Sequence, residues 1–275
     1  MLPTRDFADE ADPRTAELRK KLDHFYETTS DYESFEAPLE KPEFWGPIRD
    51  EAFRILSSQG RCDILEFGAG KTSFGNFLGD RPGGLQFHVQ DVTGRNAQYL
   101  RTQADSVHIG DIRAIDTPYD VIFSTFAWEH VTTPRAVLDH LLSLLRPGGS
   151  LFIISPRYDF PLYISPSGRH YSKPRQILIS AWLLVRRLRV RLGGRPDFMI
   201  HLDPAFLHGP WFRDSDAIHW ASWWDLVRYL KRDWTLRRHR IPMTGLSRRI
   251  WEKYLLLFVQ VSGGPASQGP AGEGR

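Results

Sequence analysis

Gly68 and Gly70, with one residue between them, directly follow the segment 63–67, which is predicted to be a short strand. The residues after them, 72–79, are predicted to be helical. Glycines at such a position let the backbone turn sharply and let a ligand come close, and the helix beyond presents unpaired backbone N–H groups. The pattern predicts a turn that binds a nucleotide-like ligand carrying a carboxylate or a phosphate. A plain tight turn is the alternative for an isolated glycine pair.

Two phosphate-binding patterns fail at this turn. Gly70, Lys71 and Thr72 match the end of a phosphate-binding loop, but that loop needs a glycine where this chain has Leu65. The dinucleotide pattern needs a third glycine where this chain has Ser73. The turn therefore does not by itself define either class of site.

Acidic residues end the next two predicted strands. Asp91 closes the segment 85–90, and Asp111 follows the segment 106–109. A lone aspartate after a strand is usually a helix cap or part of a solvated turn. In a parallel sheet, however, the carboxyl ends of the strands meet at one edge, where ligands bind. Because two carboxylates recur at that edge, we predict that both accept hydrogen bonds from hydroxyls or an amine of the ligand.

A histidine, His130, lies just beyond a fourth predicted strand, 119–124. Histidine is the side chain best suited to accept a proton near neutral pH, so His130 is the candidate catalytic base. A capping or packing role in the loop is the alternative, and the same holds for its neighbour Glu129. Further histidines and carboxylates occur over 201–219, but their spacing matches no compact metal motif, so we predict no metal site.

Strands alternate with helical stretches between residues 63 and 155, which is typical of a parallel sheet covered on both faces. The predicted strands are 63–67, 85–90, 106–109, 119–124 and 150–155, and the predicted helices are 72–79, 95–103 and 133–145. Residues 13–58 are predicted to be helical, with a break near Pro38 and Pro42. Two late segments, 234–241 and 254–261, are predicted to pair as a hairpin at the sheet edge.

Composition excludes several classes of protein. The chain has 275 residues, of which 41% are apolar and 25% charged, as in a soluble globular protein and unlike a collagen-like or wholly disordered one. The longest strongly apolar run, 177–185, is too short to span a bilayer. The single cysteine, Cys62, excludes an intrachain disulfide and favours a reducing compartment. A net charge of +3 is too weak to indicate nucleic acid.

With these elements placed, residues 65–72 resemble the first motif of the class I S-adenosylmethionine-dependent methyltransferases, of the small-molecule, Rossmann-like type. The family form is acidic-x-Gly-x-Gly-x-Gly, and Thr72 stands in place of the third glycine. Further motifs that resemble the family follow in its order. They are Asp91 after the second strand, 110–112 after the third, 119–124 with 128–131 at the fourth, 144–149 before the fifth, and 219–230. The resemblance covers about residues 60–156 and 218–261.

The resemblance implies an α/β fold with a Rossmann-like, seven-stranded, mostly parallel sheet, helices on both faces and an antiparallel C-terminal strand. It implies S-adenosylmethionine as the cofactor, with Asp91 at the ribose hydroxyls, Asp111 at the adenine amine and Glu66 at the methionine amino group. The implied cofactor-binding residues are Glu66, Phe67, Gly68, Ala69, Gly70, Asp91, Val92, Asp111, Ile112, Ser124 and Phe126.

Residues 157–213 fit no strand–helix unit, and the part from 160 to 196 contains eight Arg or Lys but no Asp or Glu. A helix with a basic rim fits this part, and so does a strand over 187–192. One interpretation is the solvated face of a lid helix. The other is a segment that covers the acceptor site, attracts an anionic or lipid-linked substrate and contacts the membrane surface. Charge reversal at Arg186, Arg187, Arg189 and Arg191 would test the second.

Aromatic side chains before the core and after this insert are predicted to roof an acceptor pocket, although ordinary core packing explains many of them. They are Tyr26, Tyr32, Phe35, Phe44, Trp45, Trp211, Phe212, Trp220, Trp223 and Trp224. His170 and His219 are further candidates for the pocket.

The sequence thus divides into a helical cap (1–60), a cofactor-binding core (61–156), a basic and aromatic insert that acts as an acceptor lid (157–217), the rest of the core (218–261) and a disordered tail (262–275). We predict O-methylation of a small-molecule, saccharide or lipid-linked acceptor by a cytoplasmic protein, or one at the membrane surface. An RNA methyltransferase that uses the basic insert is one alternative, disfavoured because the fourth strand is followed by no Asn-Pro-Pro-Tyr-type motif. A non-catalytic binding protein of the same fold is the other.

Overall fold

The computed structural model describes residues 4–5, 12–29, 42–161, 163–230 and 234–263. In chain order its main elements are β1 (Thr4–Arg5), α1 (Pro13–Thr28), α2 (Pro42–Gln59), β2 (Cys62–Phe67), α3 (Phe74–Leu78), β3 (Leu85–Asp91), α4 (Ala97–Gln103), β4 (Ser106–Ile109), β5 (Tyr119–Thr125), α5 (Pro134–Ser143), β6 (Leu145–Pro156), α6 (Lys173–Arg191), β7 (Met199–Ile200), α7 (Trp223–Leu230), β8 (Trp234–Arg238), α8 (Leu246–Ile250) and β9 (Leu256–Gly263).

Seven strands form the central sheet, in the order β4-β3-β2-β5-β6-β9-β8. The pairs from β4 to β6 are parallel, whereas β9 runs antiparallel to both β6 and β8. Strands β2 and β5 are almost continuous runs of buried residues, as expected for strands covered on both faces. The predicted seven-stranded, mostly parallel sheet with an antiparallel C-terminal strand is therefore confirmed.

The order of the strands reverses at β2, which has β3 on one side and β5 on the other. Such a reversal leaves a crevice outside the carboxyl ends of the two central strands, because the connections leave in opposite directions. The glycine turn after β2 therefore lies at the point where an α/β sheet of this kind binds its ligand.

Helices cover both faces of the sheet. On one face, Trp45, Ile48 and Ile55 of α2 pack with Phe87 and Phe123 of the sheet. On the other face, side chains of α5 and α7 pack against β5, β6 and β9. Helix α5 begins at Pro134 after Thr133, as the sequence predicts, since proline is favoured in the first turn of a helix.

The insert is more regular than the sequence suggests, because helix α6 occupies residues Lys173–Arg191. The helix alternative for the basic segment is confirmed, and the strand alternative over 187–192 is wrong. Ile179 and Leu183 of α6 pack with Tyr158, Met199 and Trp220 in a separate small core. The sequence left both alternatives open because apolar residues occupy the exposed side of α6 as well as its buried side.

The N-terminal segment is tied to the insert. Leu18 and Leu22 of α1 pack on Ile200 and Ile218, and β1 pairs with β7. Helix α2 begins at Pro42, as the expected break predicts, whereas Pro38 lies outside the described residues.

The C-terminal hairpin of β8 and β9 is confirmed, with β9 inside the sheet and β8 at its edge. Strand β9 continues through Gly263 and so includes the first two residues of the predicted tail, because Ser262 still pairs with Ser150 and Thr235. The rest of the predicted tail lies outside the described residues. Within the described ranges, none of the helices has the length and apolar character needed to cross a bilayer.

Candidate active site

The glycine turn after β2 is held by the end of β3. The N–H of Gly68 donates to the side-chain oxygen Oε1 of Gln90 (3.1 Å), and the N–H of Gly70 donates to Oδ2 of Asp91 (2.7 Å). Gly68 and Gly70 have φ of 66° and 54°, values that favour glycine. A Cβ on Gly68 would lie 2.4 Å from the Cβ of Ala127, whereas a Cβ on Gly70 would meet no atom within 4 Å. The turn is therefore closely packed at Gly68, whereas at Gly70 it leaves open space that a ligand can occupy; this part of the turn is called the cradle below.

Gln90 is a site residue that the sequence analysis missed. Its side-chain amide also donates to the carbonyl oxygen of Gly110 (2.5 Å), so one side chain links the turns after β2 and β4. A polar residue directly before Asp91, at the carboxyl end of the strand, was the signal that could have found it.

Asp91 lies at the end of β3 with both carboxylate oxygens in use. Oδ2 accepts from Gly70, and Oδ1 accepts from the N–H of Thr93 (3.0 Å). Burial raises the pKa of Asp91, and the hydrogen bonds from Thr93 and Gly70 partly offset that rise. Asp91 lines the cavity, and a carboxylate has about four acceptor positions, so Asp91 is suited to accept hydrogen bonds from ligand hydroxyls.

Asp111 lies after β4 and is bound by two arginines. Its carboxylate accepts from the guanidinium of Arg113 (2.5 Å) and from that of Arg19 on α1 (2.6 Å). The same carboxylate caps the short helical turn that begins at Ile112. The Arg19 contact joins the N-terminal cap to this edge of the sheet.

A cavity of about 1210 Å³ opens over these strand ends. Typical small-molecule sites measure ~300–1,000 Å³, so this cavity has room for a cofactor and a second molecule. All the predicted cofactor residues line it except Ser124. Ser124 is fully buried inside the sheet, because successive residues of a strand face opposite sides, and its neighbour Thr125 lines the cavity instead.

The predicted base, His130, lies in the cavity wall beside Asp216. Its Nδ1 is 3.2 Å from the carbonyl oxygen of Asp216 and 3.3 Å from Oδ2 of the same residue. Burial opposes protonation of His130, but the charges of Asp216, Glu129 and Asp214 outweigh that effect and raise its pKa. A carbonyl oxygen can only accept, so Nδ1 carries the proton and Nε2 of the neutral ring is left as the acceptor.

Glu129, next to His130, also lines the cavity and is only 1% exposed. Burial raises the pKa of its carboxyl to about 7, although the neighbouring His130 lowers it. Its Oε2 has no hydrogen-bond partner among the described residues. Glu129 is therefore close to the balance between its neutral and charged forms at physiological pH.

The insert and the segments after it form the remaining wall. The ring of Tyr158 stacks on that of Tyr163, with centroids 6.1 Å apart, and the hydroxyl of Tyr158 donates to Asp214 (2.6 Å). Of the predicted roof, Tyr26, Phe44, Trp45 and Trp211 line the cavity, whereas Trp220 belongs to the small core under α6. Tyr32 and Phe35 lie outside the described residues.

Three arginines, Arg169, Arg213 and Arg248, also line the cavity from exposed positions. Within the described part of the chain, no carboxylate lies within ion-pair distance of any of them. Each of them adds to the cavity lining a positive charge that no carboxylate of the described residues pairs with directly.

Two other predicted histidines lie away from the cavity. His219 is buried, its Nδ1 lies 3.2 Å from the carbonyl oxygen of Trp128, and burial lowers its pKa to about 4. His170 is outside the cavity lining, where its ring stacks on that of His208.

Two groups in the described ranges each bring three potential metal-ligand atoms within 4.8 Å of one another. One group is Glu129, His130 and Asp214, and the other is His170, Asp203 and His208. The absence of a metal stays a prediction.

Comparison with known proteins agrees with this geometry. A family model described as a methyltransferase domain matches residues 18–237. The chain therefore belongs to this methyltransferase family. This confirms the predicted class, an S-adenosylmethionine-dependent methyltransferase with S-adenosylmethionine as its cofactor.

Two solved structures of one other methyltransferase show the same fold. The plantazolicin methyltransferase BpumL, in complex with a monoazolic desmethylPZN analog and SAH, aligns with a TM-score of 0.53 and 12% identity over 92% of this chain and 98% of that chain. Its complex with a pentazolic analog and SAH aligns with a TM-score of 0.52 and 12% identity over 92% and 99%. CalS10, an amino pentose methyltransferase from Micromonospora echinaspora, is a weaker match, with a TM-score of 0.33 and 20% identity over 46% and 56%. Among the curated proteins, none matches the sequence.

Proposed function

We propose that the protein transfers the methyl group of S-adenosylmethionine to an oxygen of a small, negatively charged acceptor, which is free, part of a saccharide or linked to a lipid. The observation that carries this proposal is the pair of His130 and Asp216 in the wall of the cavity. The cofactor supplies an electrophilic methyl group, so the protein has to position the acceptor and remove its proton.

His130 is suited to remove a proton from a hydroxyl group. Its Nδ1–H is held by Asp216, so the lone pair of Nε2 is the basic position. The carboxylate of Asp216 stabilises the imidazolium that forms when Nε2 takes the proton. An amine acceptor loses its proton to water and needs no such base, whereas a weakly acidic hydroxyl does. The pair therefore supports oxygen as the methylated atom.

Three arginines of the cavity lining support an anionic acceptor. Arg169, Arg213 and Arg248 line the cavity without a carboxylate partner in the described ranges. Arginine binds carboxylates and phosphates through two parallel N–H donors, so these side chains suit either group. Tyr163 and Arg169 come from the insert, which supports its proposed role as an acceptor lid.

The cofactor is proposed to lie along the glycine turn, with Glu66 near its methionine end and Asp91 near its ribose. Asp111 is the proposed partner of the adenine, although Arg19 and Arg113 already hold its carboxylate. The cytoplasm is the proposed location, supported by a single cysteine, Cys62, which is buried and whose pKa burial raises to about 12.

The proposal is tested by incubating the protein with isotope-labelled S-adenosylmethionine and a small-molecule extract separated by anion exchange. NMR of the labelled methyl group distinguishes oxygen, nitrogen and carbon as its new neighbour. We expect label in an anionic compound, bound to oxygen. Label on nitrogen or carbon would overturn the proposed chemistry, and label in RNA would favour the nucleic-acid alternative. No transfer despite cofactor binding would favour the non-catalytic alternative.

A further inference from the structure

Helix α6 exposes an apolar face to solvent. Six large apolar side chains of α6 and its C-cap are strongly exposed among the described residues, although a soluble protein usually exposes such residues singly. They are Ile177 (70%), Leu178 (60%), Leu184 (48%), Val185 (64%), Leu188 (45%) and Leu192 (84%).

These side chains form one continuous stripe. The spacings of seven, four and four residues from Ile177 to Leu184 to Leu188 to Leu192 keep them on one side of the helix. The opposite side, with Ile179, Leu183 and Val190, is buried against the protein. The stripe therefore contributes nothing to the core of this chain.

The arginines of α6 divide into two groups. Arg186 and Arg189 both bind the carboxylate of Asp197, and Arg187 lies 3.8 Å from a carboxylate oxygen of Asp159. This group anchors the helix, so the charge reversal suggested by the sequence would disturb the fold as well as the surface.

A second group of basic residues lies beside the stripe. Lys173, Arg191 and Arg195 are exposed and have no carboxylate partner within the described ranges. The segment 160–196 contains no Asp or Glu to offset them. The apolar stripe and the basic residues beside it are together complementary to a surface with an apolar interior and a negatively charged outer layer.

We propose that this face of α6 docks on the surface of a bilayer that contains anionic lipids, with the stripe among the acyl chains and the basic residues at the headgroups. A second copy of the chain is disfavoured as the occupant, because a two-fold contact of the stripe with itself would bring like-charged borders together. The proposal concerns attachment alone and is independent of which acceptor the cavity takes.

The test is co-sedimentation of the full chain with vesicles of phosphatidylcholine alone or with one third phosphatidylglycerol. One variant combines Ile177→Gln, Leu184→Gln and Val185→Gln, and a second combines Lys173→Glu with Arg195→Glu. Arg61→Glu with Arg101→Glu is the matched charge control, since both positions are exposed on other parts of the surface. Circular dichroism and the melting temperature show that each variant is folded.

We expect the wild type to bind the anionic vesicles and to release them as salt is raised. The apolar variant should lose binding. The basic variant should lose about 25-fold or more in affinity, because each of its two basic residues contributes about fivefold near an anionic surface. The control variant should bind like the wild type.

Four results would overturn the proposal. The first is that the wild type binds neither kind of vesicle, and the second is that the apolar variant binds like the wild type. The third is that the control variant loses as much affinity as the basic variant. The fourth is that light scattering shows a dimer of the wild type and a monomer of the apolar variant. The last result would identify the face as an interface between copies.

Discussion

The backbone N–H of Gly70 donates to the carboxylate of Asp91 over 2.7 Å, and this bond joins the turn after β2 to the end of β3. The two parts of the proposed cofactor site are therefore a single unit rather than separate binding groups. A change at Asp91 acts on the ligand and on the turn together.

Replacing Asp91 with asparagine puts an amide donor opposite the N–H of Gly70 or that of Thr93. One buried N–H then loses its acceptor, which costs ~1–3 kcal/mol. We expect Asp91→Asn to weaken S-adenosylhomocysteine binding by about tenfold to a hundredfold in calorimetric titration. The exposed control Asp50→Asn should bind normally. An Asp91→Asn variant with wild-type affinity would show that this carboxylate does not hold the site.

Gly70 and Gly79 form a matched pair for testing the cradle. Both have positive φ, 54° and 64°, and a Cβ at either position would meet no atom within 4 Å. Alanine at either position should therefore cost stability, and the cost should be larger at Gly79, whose ψ of −142° lies near the region that only glycine adopts readily. Only Gly70 lines the cavity, so only Gly70→Ala should also weaken cofactor binding. Equal cofactor affinity in the two variants would argue against a cofactor on this turn.

The role of His130 has a pH signature. A base acts in its neutral form, so kcat should rise with pH and level off above the pKa of His130, which the surrounding carboxylates raise above 6.5. Asp216→Asn removes one of those charges and should move the rise to lower pH. His130→Gln should reduce kcat by about a hundredfold to ten-thousandfold with unchanged cofactor affinity, while His24→Gln on the surface should not. A full-rate His130→Gln enzyme would exclude this base.

Glu129 makes stability depend on pH. Its pKa rises from 4.5 when exposed to about 7 in the fold, so the folded state binds more protons between these values. The stabilisation that this proton binding gives is complete below about pH 4.5 and is lost as the pH rises through about 7. Glu129→Gln should therefore match the wild type at pH ~5 and exceed it by up to about 3 kcal/mol at pH ~8 in urea unfolding. Glu27→Gln is the exposed control, and the same pH dependence in Glu129→Gln and wild type would contradict the assignment.

The sheet and its glycine turn could be predicted because local sequence determines them. The central strands are buried on both faces and carry short apolar runs such as 121–123, and the positive φ of Gly68 and Gly70 favours glycine in the turn. The same reasoning located His130 and the two aspartates, since side chains after parallel strands meet at one edge.

Long-range contacts could not be predicted from the sequence. Arg19 reaches Asp111 and Asp216 reaches His130 across 92 and 86 positions of the chain, and no local pattern marks either pair. Ser124 was assigned to the cofactor site because the motif does not specify which alternate residue of a strand faces the crevice. Helix α6 was hard to recognise because its exposed face is apolar, the reverse of an ordinary surface helix.

The most direct test is a crystal structure of the protein with S-adenosylhomocysteine. The distances from the ribose hydroxyls to the carboxylate of Asp91 and from the sulfur to Nε2 of His130 are the quantities to measure. We predict hydroxyls at hydrogen-bond distance from Asp91, with the sulfur facing the part of the cavity lined by His130. A ligand bound elsewhere, or one whose sulfur points away from His130, would contradict this account.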